Sequence, residues 1–442
     1  NNYYSGDNMT YDQVVEILDF GPSVTKLIMG IGKKRTALPI DISAFSVQVS
    51  RYDSRIAVQA ADKTGKKPVV KKGKSAAGLV GQGERKVSDA YVSDGKGNRA
   101  DAGQFLTLEL VSSPEDSLCS PINYDENRII WIECKYTIIT KKSIPGIPSF
   151  RADVLKKTYR PQIEIFNLSG KFSCKDREYG KMNFRYADFR PAGAHKDSNL
   201  PLIIWLHGWA EGGKDPSLPL AGNKACVFAF PEVQKIFGGA YVLVPQSPTF
   251  WMDAGRRSKK AAGDPQYGLD KNTSKYTRAL KALIDEYVEK NPGIDRKRIY
   301  IGGLSNGGFM TQVLILEYPD FFAAAIPVCS PALDSRISDD LLKPVLKLPT
   351  WYVNAATDPV VPAVKHSLAT YDRMIKSGAP NVYYSYLRDV RDLSGTWKNR
   401  DGSNYEYGGH SAWIYVYNNW IHEEIGGKDT RILEWLSAQK KK

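Results

Sequence analysis

From the amino terminus to about Leu168 the chain places apolar and polar residues in short runs of strand character, separated by turn residues. Val14–Leu18 and Val24–Ile28 flank Gly21-Pro22, a turn pair, and further runs fall at Phe45–Val49, Arg55–Ala60, Val87–Val92, Phe105–Val111, Arg128–Thr140 and Pro161–Phe166. The loop Ser93–Asn98, rich in Asp and Gly, predicts a hairpin. Asp62–Gly83 is basic, built of small residues and without hydrophobic period, so it predicts a loop. Many strands at short spacing, with no helical pattern between them, imply a β-sandwich.

The pattern changes after Phe172. Strand-like runs at Leu202–Leu206, Ala240–Val244, Arg298–Ile301, Ala324–Val328, Thr350–Val353 and Val382–Leu387 now alternate with helical segments. One helix is predicted over about Ser274–Lys290, where Tyr276, Leu280, Leu283, Ile284, Tyr287 and Val288 recur on one face and Asn291-Pro292-Gly293 stops it. Alternation of this kind predicts an α/β fold, a mostly parallel sheet with helices on both faces. The switch divides the chain into an all-β domain over 1–170 and an α/β domain over 171–442.

Within the second half, Gly303-Leu304-Ser305-Asn306-Gly307 follows a strand and precedes the apolar segment Phe309–Glu317, so this G-x-S-x-G pentapeptide occupies a strand-to-helix turn. Such a turn strains the serine backbone and pushes its hydroxyl clear of the sheet. A serine hydroxyl is a weak nucleophile, so the reading requires a base and a group to orient it. With chain order nucleophile, acid, histidine, His410 and His422 are the available bases, since His366 follows the best acid too closely. His410 sits in the glycine-rich loop Tyr407–Trp413, whereas His422 falls in a pattern that reads as a helix surface. Asp358, after the apolar run Trp351-Tyr352-Val353, is the candidate acid; Asp334, Asp339 and Asp340 read as loop residues and Asp372 as helical. An oxyanion hole needs two backbone N–H donors. Asn306 supplies one, and Trp209, in Leu206–Gly213 directly after a strand, is the candidate for the other. His207 reads as loop packing and Glu211 as a local hydrogen-bond partner.

Composition adds limits. The chain of 442 residues is 42% hydrophobic, enough for one or two cores, and has no apolar run long enough to span a bilayer. Its net charge of +13 comes partly from Lys33–Arg35, Lys63–Lys74, Arg256–Lys260 and Lys440–Lys442. These runs lie in loops and a tail without interleaved stacking aromatics, which reads as solvated surface and not as a nucleic-acid face. Five cysteines lack C-x-x-C spacing, so neither a metal site nor a dithiol motif is expected, and a Cys119–Cys134 disulfide stays open. The sequence opens on Asn1, as removal of a leader or simple trimming would leave it, and an extracytoplasmic location is the expectation.

The segments PLIIWLHGWAEGG, VLVPQSPTFWMD, GGLSNGGFM, AAAIPVCS and GGHSAW together resemble the poly(3-hydroxybutyrate) depolymerase and feruloyl esterase-like branch of α/β hydrolases, over about residues 172–442. ILDFGPSVTKLIM and GERKVSDAYVSDGKGNRADAGQFLTLEL resemble the immunoglobulin-like domain fused ahead of certain two-domain bacterial esterases. The resemblance implies an α/β-hydrolase preceded by an immunoglobulin-like sandwich. By motif it implies Ser305, Asp358 and His410 as triad, Trp209 and Asn306 as oxyanion donors, and Trp251 as an apolar wall of the substrate pocket, a position that a core tryptophan would fill equally well. Ala210 departs from a position that these relatives often fill with glycine, and the insertion Arg256–Gly268 lies where it would reshape the cleft rim.

These readings converge on a serine carboxylesterase working through an acyl-enzyme, without metal or organic cofactor, on a small-molecule or polymer-linked ester of short-chain, aryl, feruloyl or polyester type. A peptidase of the prolyl-oligopeptidase kind shares the residue order but carries a propeller, and no blade period appears here. A binding protein with a vestigial hydrolase fold is the remaining alternative, against which stands the presence of every triad residue type.

Overall fold

The computed structural model describes residues 9–57, 77–125, 127–255 and 273–442. The chain divides into two compact units, Asn1–Asp125 with Ile129–Glu164, and Glu126–Arg128 with Ile165–Lys442.

In the first unit eight strands form one hydrogen-bonded sheet. Met9–Leu18 pairs antiparallel with Gly21–Thr36 and parallel with Arg151–Tyr159. The link from Arg151–Tyr159 to Glu133–Thr140 rests on two residue pairs, Arg151↔Ile139 and Ala152↔Ile138, so the sheet can double over there. The two layers meet through Tyr11 and Tyr136, edge to face at 6.2 Å, with the Tyr11 hydroxyl accepting from Tyr136 N–H at 2.9 Å. Arg85 is buried between them and donates to the Tyr136 hydroxyl and to the carbonyls of Val24, Val111 and Leu118. A buried guanidinium is costly unless its donors are satisfied, and here main-chain acceptors satisfy most of them.

Several local expectations are corrected. Pro161–Glu164 is a helical turn, not a strand: Pro161 takes the first helical position, where its missing N–H costs nothing, and Glu164 accepts from Arg160 N–H at 2.8 Å. Phe45–Ala57 is one strand where two runs were predicted. Ala77–Glu84 is a strand paired with Phe45–Ala57 at the sheet edge, inside a segment read as loop; its glycine-rich composition hides strand character, and register comes from the partner. Cys119 and Cys134 are separate buried thiols. Most of Asp62–Gly83, Lys63–Lys74, Arg256–Lys260 and Arg256–Gly268 lies outside the described residues.

The second unit holds an eight-stranded sheet. An antiparallel hairpin, Asn167–Asp176 and Gly180–Phe189, forms one side, and the second of these strands pairs antiparallel with Tyr241–Gln246. From there Leu200–Leu206, Ile294–Leu304, Ala324–Val328, Thr350–Ala355 and Val382–Leu387 continue in parallel. The central strands are buried along nearly their whole length, which is why they read as continuous apolar runs and not as alternation. The helix Thr277–Lys290 buries Leu280, Leu283, Ile284, Tyr287 and Val288, the predicted stripe. Asn306–Glu317 is buried on all sides apart from its last residue, consistent with its lack of amphipathic pattern. Among the described residues no helix is long and apolar enough to cross a membrane.

Register aligns the carboxyl ends of the parallel strands: Leu206 pairs with Gly303, Leu304 with Val328, and Val328 with Val353. The segments that begin at His207, Ser305, Cys329 and Ala356 therefore all leave the sheet at one edge.

Candidate active site

Ser305 turns the chain from strand to helix with φ 52 and ψ −114, a backbone conformation that a side-chain-bearing residue rarely adopts. Its N–H is held by the Val328 carbonyl at 2.8 Å. The turn is this tight because helix and strand lie in backbone contact: a Cβ on Gly307 would sit 2.0 Å from the Leu206 carbonyl oxygen. Glycine at that position is a packing requirement.

His410 Nε2 lies 2.9 Å from Ser305 Oγ, and His410 Nδ1 lies 2.8 Å from Asp358 Oδ2. The other Asp358 oxygen accepts from Val360 N–H at 2.8 Å and Val361 N–H at 3.0 Å. Burial raises the Asp358 carboxyl, but the hydrogen bonds from His410 and these two amides outweigh it and hold the group below the usual carboxylate range. An ionised Asp358 fixes the proton on Nδ1 and leaves Nε2 to accept from the serine. The three side chains, predicted from segments up to 105 residues apart, thus form one hydrogen-bonded relay.

The oxyanion candidates also come together. Gly307 packs against the Leu206 and His207 carbonyls, which brings the amino end of the serine helix against the loop carrying Trp209. Gly208 N–H is taken by Glu211 Oε2 at 2.7 Å. Among the described residues neither Trp209 N–H nor Asn306 N–H donates to any group, so both remain open to an incoming oxygen. Ala210 lies in the short turn Trp209–Glu211 without a left-handed backbone, so glycine is not required there. His207 is wholly buried, with Nε2 accepting from Ser247 N–H at 3.1 Å and Nδ1 facing the Gly208 carbonyl at 2.7 Å, which leaves the proton on Nδ1. His207 is thus a packing residue.

Trp251 is corrected. It is 0% exposed and packs in the core against Phe184, His207 and Tyr276, so it offers no wall to solvent-borne substrate. Its N–H donates to Asn306 Oδ1 at 2.5 Å and so anchors the residue after the serine. The apolar surface beside the site comes instead from Trp209, half-buried and stacked at 4.0 Å on the half-buried Phe250. Sequence reasoning missed Phe250, although it adjoins Trp251 in the same segment. His422 lies in the hairpin His422–Ile425 and Lys428–Arg431, not on a helix, with Nδ1 2.6 Å from Asp429.

Cys329 was also missed. It follows Ala324–Val328 directly, has φ 47, is wholly buried, and directs Sγ at the His410 carbonyl oxygen at 3.5 Å. Burial, with the Asp358 carboxylate nearby, pushes its thiol well above the ordinary value. Cys329, Asp358 and His410 offer possible ligand atoms within 4.8 Å of one another. Two of these atoms, Asp358 Oδ2 and His410 Nδ1, already engage one another in the 2.8 Å hydrogen bond of the relay.

Comparisons agree with this architecture. Residues 10–147 match the esterase Ig-like N-terminal domain, and residues 193–391 match the phospholipase/carboxylesterase family. The chain is 30% identical over 145 residues to a poly(3-hydroxyalkanoate) depolymerase C from Paucimonas lemoignei, covering 32% of this chain and 30% of that protein. It is 28% identical over 172 residues to a protein of Oryza sativa subsp. japonica described as "Probable carboxylesterase", covering 35% of this chain and 60% of that protein. The matched regions thus span less than two thirds of either relative. A crystal structure of a thermostable esterase superposes with a TM-score of 0.71 at 23% identity, covering 98% of this chain and 99% of the other, which establishes a shared fold. Over residues 10–147 the chain is thus similar to the esterase Ig-like N-terminal domain and over residues 193–391 to the phospholipase/carboxylesterase family, on a fold shared with the thermostable esterase.

Proposed function

We propose that the protein is a serine carboxylesterase. The observation that carries this reading is the relay Asp358–His410–Ser305, at 2.8 and 2.9 Å, on a serine whose backbone is held at φ 52. Ser305 Oγ attacks the ester carbonyl carbon as its proton passes to His410 Nε2, and Asp358 stabilises the imidazolium that forms. The tetrahedral oxyanion is received by the N–H groups of Trp209 and Asn306, at the amino end of the helix Asn306–Glu317, where the helix dipole also favours negative charge. Collapse breaks the C–O bond, and His410 returns its proton to the departing alcohol. Water, deprotonated by His410, then cleaves the acyl-enzyme to release the acid and restore the serine.

The stacked Trp209 and Phe250 rings suit a flat or apolar acyl group, in keeping with short-chain and aryl esters, including esters displayed on a polymer. An extracytoplasmic setting, where polymeric esters occur, belongs to the same reading.

The test is turnover of 4-nitrophenyl acetate. Ser305→Ala is expected to lower kcat by about 10⁴-fold or more, and Asp358→Asn by about 10⁴-fold. Equal turnover by wild type and Ser305→Ala would sink the proposal.

A further inference from the structure

A cleft of about 760 Å³ opens in the α/β unit between the hairpin Asn167–Asp176/Gly180–Phe189, the segment around Thr249 and the start of helix Thr277–Lys290. None of the relay residues lines it. Lys171, Lys181, Arg185, Lys214 and Lys275 do. Lys275 is paired with Asp253 at 2.6 Å, but none of the other four has an ion-pair partner among the described residues. In the hairpin Lys171 stands opposite Arg185, and Lys175 opposite Lys181, so two like-charge pairs share one strand ladder. Like charges directly opposite destabilise a sheet, so this arrangement is unfavourable unless an anion offsets it.

The chain runs from the wall of the cleft to the residues beside the relay. Thr249, on its wall, leads into Phe250, which stacks on Trp209 at 4.0 Å, and then to Trp251, whose N–H holds Asn306. We propose that the cleft is a subsite for the non-reacting part of the substrate, and that this part is an anionic carbohydrate, a chain of sugar acids whose ester is presented to Ser305. This rests on the esterase reading. The cations meet carboxylate or sulfate groups. Between the two like-charge pairs lie Ser173 and Asn183, hydrogen-bonded at 2.8 Å, a neutral polar pair suited to sugar hydroxyls, and the half-buried Tyr179 offers a ring face. A nucleic acid would satisfy the charges but carries no carboxylic ester for the serine, and an anionic bilayer is flat where this surface is concave.

The experiment has a catalytic and a binding arm. Wild type and the exposed-surface variant Lys171→Glu/Lys181→Glu are compared on acetylated polygalacturonate, acetylated xylan and 4-nitrophenyl acetate, at low and high sodium chloride. The proposal expects kcat/KM on the anionic polymer to fall roughly tenfold in the variant, through KM, and to fall with salt in wild type. Turnover of the nitrophenyl ester should stay within about twofold, since no relay residue is changed. Binding of de-esterified polygalacturonate is then measured on Ser305→Ala with and without the two charge reversals. Equal binding in both, or equal binding of a neutral xylan, overturns the proposal. So does capture by phosphatidylglycerol vesicles or by single-stranded DNA without binding of the polysaccharide. If wild type fails to cleave any ester, the esterase reading falls, and the binding arm still decides whether the cleft takes a polyanion.

Discussion

Glu211 and His207, two buried members of the loop that carries Trp209, make opposite demands on pH. Burial pushes the Glu211 carboxyl up to about 7 against the hydrogen bond from Gly208 N–H, and burial pulls the His207 imidazole down to about 4. A carboxyl raised in the folded state lends stability at low pH and loses it as pH rises through about 7. An imidazole lowered in the folded state lends stability above its ordinary value and loses it as pH falls toward about 4. The two slopes oppose one another across the mildly acidic range. Glu211→Gln keeps an acceptor for Gly208 and removes the first slope, so its melting temperature relative to wild type should climb between about pH 5 and pH 8. A constant offset across a melting series would contradict this assignment. At this scale the sequence was most readable where chemistry dictates residue type: Ser305, Asp358 and His410 were singled out because each follows a strand in the order a serine relay requires, and the three are hydrogen-bonded to one another. Trp251 and Cys329 were not, since a tryptophan looks the same in a wall and in a core, and a cysteine outside a paired motif carries no signal.

Elements were legible where periodicity and burial agree. Leu280, Leu283, Ile284, Tyr287 and Val288 marked their helix because only one face is buried, and the parallel strands stood out as unbroken apolar runs. Pro161–Glu164 misled because four residues are too few to show a period, and the hairpin Asn167–Phe189 was missed because lysines on its outer face dilute the apolar inner one. Two substitutions test what holds elements in place. Gly307→Ala brings a methyl to 2.0 Å from the Leu206 carbonyl oxygen, so strand and serine helix must separate. Esterase turnover should then fall by roughly 10²-fold, given the steep dependence of rate on placement. Arg85→Met strips donors from the Val24, Val111 and Leu118 carbonyls and the Tyr136 hydroxyl inside the first unit. Buried acceptors left unmatched should lower its stability by about 3 kcal/mol or more, read from denaturant unfolding followed by near-ultraviolet circular dichroism.

For the molecule as a whole, the change of pattern placed a boundary near residue 170; the compact units part at Glu164 and Ile165, with Glu126–Arg128 grouped with the second unit. The pairing order of the first sheet was beyond sequence, because parallel pairing of Met9–Leu18 with Arg151–Tyr159 joins ends of the unit that share no local signal. Burial differs between the two sheets, and hydrogen exchange should rank accordingly. Amides of Leu200–Leu206, Tyr241–Gln246, Ala324–Val328 and Thr350–Ala355 should exchange last, and those of Ala77–Glu84 and Arg151–Tyr159 early. Comparable protection in both sets would show that burial does not govern opening here. One close packing has a thermal corollary. Gly409 presses so tightly on Thr357 that an added methyl would lie 2.3 Å from the Thr357 carbonyl carbon, which couples the imidazole's loop to the carboxylate's. Those two partners drift together on warming, whereas the hydroxyl rides on a separate helix; heat-impaired catalysis should therefore begin as a widening serine–histidine gap while the histidine–aspartate contact endures.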